Sequence, residues 1–274
     1  MMSPQAPLLR GSLLPERADP AWDGLAPDRM SGWLCIAGLG PGDEALVTPE
    51  VRQALDQASD VLGYIPYVAR VAPRAGLTLH PSDNREELDR ARAALALAAA
   101  GARVVVVSSG DPGVFAMATA VFEAMEGRDD WQALDVRVLP GITAMLAAAA
   151  RAGAPLGHDF CTINLSDNLK PWALIEKRLR AALGADMAMA FYNPRSASRP
   201  HTFEQVLRLL RETCEPERLL LFARAISTPQ ERLRCVPLAD ATPGMADMRT
   251  LVIVGSSTTR RVGRFVYTPR SVAA

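Results

Sequence analysis

Between Trp33 and Arg151 the chain alternates strand-like and helix-like segments, and each strand-like run stops in or beside a turn that contains glycine. Residues 33–39, 61–64, 103–108 and 136–139 read as strands, while 48–58, 82–100, 114–125 and 143–151 read as helices. This alternation predicts an α/β fold with a parallel sheet. Local signals support it. Thr48 before Pro49 is an N-cap followed by proline at the first helical position, and Asp83 with Glu86 has capping-box spacing. In the third helix Val114, Met117, Ala118, Val121, Phe122 and Met125 follow the i, i+3, i+4 rule, which predicts one face packed on the sheet.

Residues 151–159, Arg-Ala-Gly-Ala-Pro-Leu-Gly-His-Asp, interrupt the pattern and read as a linker. A second α/β unit follows, with strands at 160–165, 187–192, 219–223, 232–236 and 251–254 and helices at 171–183 and 202–211. Its last three strands have few helical residues between them, so antiparallel pairs are expected. The expected organisation is therefore a domain over 33–152 and another over 159–274, which suits the roughly two domains that 274 residues predict. Residues 1–32 hold five prolines and no sustained periodicity, and read as a flexible leader.

Composition narrows the partners. Thirty basic against thirty acidic residues argue against nucleic acid as the main partner. No apolar run approaches the ~18 residues of a membrane span, and the proline-broken start lacks a secretory h-region, so a cytoplasmic protein is expected. Cys35, Cys161, Cys214 and Cys235 are far apart, as are His80, His158 and His201, and no metal site is expected. Only Lys170 and Lys177 are lysines, so 28 of the 30 basic residues are Arg, whose forks suit carboxylates.

Three strand-to-helix loops carry the chemistry: Gly38-Leu39-Gly40-Pro41-Gly42-Asp43, Ser108-Ser109-Gly110-Asp111-Pro112-Gly113 and Pro140-Gly141-Ile142-Thr143. In a parallel sheet they share the carboxyl edge, where open α/β folds bind ligands. The first is no dinucleotide fingerprint, because Pro41 fills the wrong slot and the helix waits until Thr48. Neither lysine follows a glycine, which excludes a phosphate loop. Asp111 either accepts from a ligand amine or hydroxyl or caps its helix; main-chain N–H groups opening that helix suit a carboxylate. A ligand with both ends resembles an amino acid.

In order and spacing these loops resemble the tetrapyrrole methyltransferases that use S-adenosylmethionine, over about residues 33–256. The resemblance implies two α/β domains with the cofactor cleft between them, the tetrapyrrole methylase fold. It implies cofactor contacts at Pro41, Ser109, Gly110, Asp111, Val114, Thr143 and Ala144, with Asn193 and Gly255 from the second domain, and a homodimer. The segments Gly63-Tyr64-Ile65-Pro66-Tyr67-Val68, Leu165-Ser166-Asp167-Asn168-Leu169-Lys170-Pro171-Trp172 and Phe191-Tyr192-Asn193-Pro194-Arg195-Ser196 resemble the branch that methylates precorrin-3B at carbon 17 and contracts the ring in cobalamin biosynthesis. The chain does not resemble fused forms with an iron–sulfur domain. Contraction wants a base, for which Asp83, Asp167 and His80 are candidates; helix capping for the aspartates and an ordinary loop histidine are the alternatives. The acidic arms of such a substrate suit Arg70, Arg74, Arg85, Arg178 and Arg195. Methylation at another precorrin position, methylation of a protein or RNA target, and tetrapyrrole binding without turnover stay open.

Overall fold

The computed structural model describes residues 32–83 and 86–271. Its first sheet contains β1 (Trp33–Gly38), β2 (Asp60–Tyr64), β3 (Thr78–Ser82), β4 (Arg103–Ser108) and β5 (Asp135–Leu139) in the order β3-β2-β4-β1-β5. All neighbours are parallel, so every carboxyl end lies on one edge. Val104 to Val107 at the centre are each 0% exposed. Pleating sends Val104 and Val106 to one face and Val105 and Val107 to the other. Burying each contributes roughly 1.5–3 kcal/mol.

Helices cover both faces. On one lies α1 (Pro49–Gln57), capped by the Thr48 hydroxyl as expected, followed by the one-turn α2 (Ile65–Val68). On the other lie α3 (Glu87–Ala99), α4 (Met117–Met125) and the short α5 (Asp129–Gln132). Three expectations need correction. Ser82, expected to open a helix, instead ends β3, a strand not expected at Thr78–Ser82; it sits at the sheet edge, where a strand is paired on one side alone and its Pro81 is tolerated. Helix α3 starts at Glu87 with Glu86 as N-cap, so Asp83 and Glu86 do not form a capping box. Helix α4 starts at Met117 because Phe115 takes a left-handed φ of 54°, and Phe122 is exposed.

The next helix, α6 (Ala144–Ala152), crosses between sheets. It leaves the edge of the first sheet, but its buried face of Met145, Ala148, Ala149 and Ala152 packs on Ala190, Leu221, Ala223, Leu251 and Ile253 of the second. Strand β6 (Gly153–Ala154) then joins a small sheet with two late strands, β12 (Arg260–Val262) and β13 (Phe265–Tyr267).

The second sheet runs β10-β9-β11-β8-β7, with β7 (Phe160–Asn164) parallel to β8 (Ala188–Tyr192). Strands β9 (Leu219–Arg224), β10 (Arg232–Pro237) and β11 (Thr250–Val254) add the antiparallel pairs expected there. Helices α7 (Trp172–Gly184) and α8 (Thr202–Thr213) cover the face opposite α6. In α8, Phe203, Val206, Leu207 and Leu210 are fully buried at helical spacing. No helix among the described residues is long and apolar enough to cross a membrane.

Candidate functional site

Because β4, β1 and β5 are adjacent and parallel, their three following loops meet. Gly40 and Gly110 form an isolated antiparallel bridge, with Gly110 N–H donating to Gly40 O at 2.9 Å and Gly40 N–H to Gly110 O at 3.2 Å. Both adopt positive φ, 66° and 65°. At Gly38 a Cβ would stand 2.5 Å from Gly110 O and 2.7 Å from Gly141 N, so the loops interlock only without side chains there. Asp111 ties this cluster together. Its Oδ1 accepts from Gly113 N–H at 2.8 Å and its Oδ2 from Gly141 N–H at 3.1 Å. It does not cap α4, whose N-cap is Ala116.

The second half reaches the same place. The Tyr192 hydroxyl, at the end of β8, bonds the Thr143 hydroxyl and accepts from Met145 N–H at 3.0 Å, in the first turn of α6. Burial pushes the phenol pKa up, against the lowering effect of those bonds. Phe115 packs edge-on to Tyr192 at 5.4 Å between ring centroids. Asn193 has φ 53°, and its amide donates to Asn164 Oδ1 at 3.0 Å. The loop after β9 joins them: Ala225 and Ser227 have φ of 50° and 60°, and a Cβ on Gly42 would meet Thr228 Cγ2 at 2.6 Å and Ser227 O at 2.7 Å. Sequence reasoning missed this loop. No glycine flags its left-handed turns, and the strand-to-loop break after Arg224 is the one signal that points to it.

Pro41, Ser109, Gly110, Asp111, Val114, Thr143 and Asn193 thus lie on loops brought together at one edge, with Ala144 opening α6 beside them. Gly255 does not lie there. Strand β11 is antiparallel to β8, with Val254 opposite Met189, so Gly255 lies at the far end of the second sheet, where its carbonyl accepts from Arg218 at 3.0 Å.

Among the candidate bases, Asp83 is exposed just beyond β3 on the carboxyl edge, and its carbonyl accepts from the buried Arg90 at 2.5 Å. Asp167 lies on the loop after β7, 3.8 Å from Arg199 Nε. His80 lies within β3, and its ring is paired at 2.8 Å with Asp60, at the start of β2. That partner belongs to the opposite edge, so His80 is withdrawn from the site.

The arginines divide similarly. Arg70 donates to Leu39 O at 2.6 Å and Gly40 O at 3.4 Å, so it braces the glycine-rich loop. Arg74 gathers the carbonyls of Leu55, Asp56 and Ala58 at the end of α1. Arg178 is exposed on α7, and Arg85 lies outside the described residues. Arg195 donates to Pro200 O and borders a cavity of about 440 Å³ shared with Met248 and Arg249. The Cys35 thiol is buried and its pKa is pushed up to about 11, which keeps it protonated and unreactive at neutral pH.

The chain is similar to known proteins over most of its length. The chain is 49% identical to a precorrin-3B C(17)-methyltransferase from Sinorhizobium sp. over 89% of its own length and 98% of the relative's. It is 48% identical to the cobalamin biosynthesis protein CobIJ of Mycobacterium bovis, over 84% of this chain and 46% of that longer protein. The crystal structure of the methyltransferase CobJ superposes with a TM-score of 0.86 at 69% identity, covering 87% of this chain and all of that one. Residues 34–242 match the model of the Tetrapyrrole (Corrin/Porphyrin) Methylases, and the chain belongs to that family.

Proposed function

We propose that this chain transfers the methyl group of S-adenosylmethionine to carbon 17 of precorrin-3B, with contraction of the ring to precorrin-4, as a step of cobalamin biosynthesis. The observation that carries the reading is 49% identity across 98% of a protein of that name. The site supports the donor. Its glycine contacts let the three loops close on one another at the carboxyl edge of the sheet, where open α/β folds bind ligands.

When bound, S-adenosylmethionine supplies a methyl group already activated on a sulfonium. The protein therefore has to position the two reactants and exclude water. Pro41, Ser109, Gly110, Val114, Thr143, Ala144 and Asn193 form the proposed donor cleft between the two sheets, with the loop 225–228 in place of Gly255. Asp111 keeps two of its walls in register. Asp83 and Asp167 are the carboxylates at this edge that suit the contraction step, and Arg195 suits an acidic arm of the substrate.

The enzyme is proposed to act as a cytoplasmic homodimer. Four free cysteines fit a reducing compartment, and two-fold dimers are the commonest oligomers. Light scattering at monomer mass would overturn the dimer. The function is tested by incubation with labelled S-adenosylmethionine and a panel of precorrins, with products assigned by mass and carbon-13 NMR. Methyl at carbon 17 with an extruded acetyl carbon is expected. Methylation at another carbon alone refutes the assigned position, and no methylation of any tetrapyrrole refutes the reaction.

A further inference from the structure

The loop between β8 and α8 buries a guanidinium whose carboxylate-binding edge is left open. The Arg199 side chain is 9% exposed. Its Nη1 donates to Asn193 O at 3.1 Å and Leu165 O at 3.4 Å, fixing the plane of the group between the ends of β7 and β8. The Nε–Nη2 edge is the fork that pairs with both oxygens of a carboxylate. On that edge Nη2 meets the thioether of Met248 at 3.7 Å, a weak acceptor. Nε is the one buried side-chain nitrogen or oxygen without a hydrogen-bond partner among the described residues. Asp167 Oδ1 stands 3.8 Å away, an ion pair too long to be a hydrogen bond.

Beyond Asp167 the surroundings are short of negative charge. Lys170 has its pKa lowered by burial and by the nearby Arg178 and Arg199, against the raising effect of Asp167. Asp247 is occupied by Arg224 at 2.7 Å and Thr250 at 2.7 Å. Met248 also borders the cavity of about 440 Å³, so the side chain in front of the open edge is a flexible one beside free space.

We propose that the Nε–Nη2 edge of Arg199 binds one carboxylate arm of the substrate, with Met248 turning aside, and that this pairing makes Arg199 a specificity-determining residue. The proposal rests on the tetrapyrrole reading given above.

Steady-state rates with precorrin-3B and calorimetric binding of S-adenosylhomocysteine test it on wild type, Arg199→Lys, Asp167→Asn and Met248→Glu. Lysine keeps the charge and loses the fork. Arg199→Lys should raise the KM for the tetrapyrrole about tenfold or more, a larger factor than its effect on S-adenosylhomocysteine affinity, which it touches only through the Asn193 carbonyl. Asp167→Asn removes the other charged group at this edge and, whatever it does to kcat, should raise KM less than Arg199→Lys does. Met248→Glu places a competing carboxylate against the edge, and should raise KM while keeping or raising the melting temperature.

An Arg199→Lys enzyme with wild-type KM overturns the proposal. So does an equal KM rise in Asp167→Asn, which assigns the edge to Asp167. Should Arg199→Lys fail to fold, Met248→Glu decides: a stability gain without a KM change marks a purely structural guanidinium and refutes substrate binding. A wild type that methylates no tetrapyrrole takes down the functional reading itself, whereas turnover with both variants at wild-type KM defeats the Arg199 assignment alone.

Discussion

Removing the Asp111 carboxylate should loosen the cofactor edge by an amount the geometry sets. In Asp111→Ala two main-chain donors lose a charged acceptor: Gly113 N–H, which is exposed, and Gly141 N–H, which is half-buried. Water replaces the first at a cost of about 0.5 kcal/mol, and loss of the second costs about 1.5–3 kcal/mol. The sum is about 2–3.5 kcal/mol. At about 2–4 °C per kcal/mol for a chain of this size, the melting temperature should fall by about 4–14 °C. The donor site is built from the same loops, so binding must restore their order before it gains contacts. Each 1.4 kcal/mol of that ordering raises the dissociation constant about tenfold. Differential scanning calorimetry gives the first quantity and titration with S-adenosylhomocysteine the second. A folded Asp111→Ala protein with wild-type melting temperature and affinity would show that the carboxylate does not hold Gly141 in place.

Tyr192→Phe removes the bonds to Thr143 and Met145 N–H and should cost about 1–2 kcal/mol. A double-mutant cycle with Thr143→Val should show coupling above about 0.5 kcal/mol, and strict additivity would refute the contact. Gly141→Ala drives a Cβ into the Gly110 carbonyl and the Gly38 backbone, so the variant should lose S-adenosylhomocysteine binding before it loses its fold; retained affinity by calorimetry would count against the interlocked loops. Stability should also fall in acid. Burial alone would raise the Asp186 pKa, but bonds from Ser257 and the Arg218 charge hold it low; Glu215 is held low first by its Arg218 bond. Both carboxyls therefore stabilise the fold above their unfolded values near 4, and that contribution is lost as pH drops through their depressed folded values. Urea unfolding of Asp186→Asn with Glu215→Gln between pH 6 and pH 3 should show a flatter acid limb than wild type, and an unchanged slope would refute it.

The edge of the first sheet was legible because its loops announce themselves by composition: glycine where backbones touch, Asp111 where two loops are joined, and Val104 to Val107 marking the strand that places them. What escaped is what depends on distant partners. Nothing local distinguishes an arginine that braces carbonyls from one open to a ligand, so Arg70 read as a substrate residue. His80 is tied by Asp60 toward the amino end of the sheet, away from the loops, and that partner comes into reach only through the pairing of β2 and β3. Gly255 failed because strand direction, which the antiparallel pairing of β11 and β8 sets, decides which end of a sheet a loop occupies. Helix α4 was drawn too early because its apolar spacing continues through Val114, while a left-handed Phe115 ends it.

The crossing of α6 also bears on the order in which the chain is made. Synthesis runs from the amino end, so the alanine-rich face of this helix emerges well before β9 and β11, the strands that bury it. Until those strands arrive, the nascent first half presents an apolar stripe with no cover, a surface prone to chaperone capture or association. A cut after Ala152 would leave the same stripe bare on one fragment and uncover Leu221, Leu251 and Ile253 on the other. The two halves are thus joined by a shared layer of core as well as by the chain, and neither should stay soluble when produced without its counterpart.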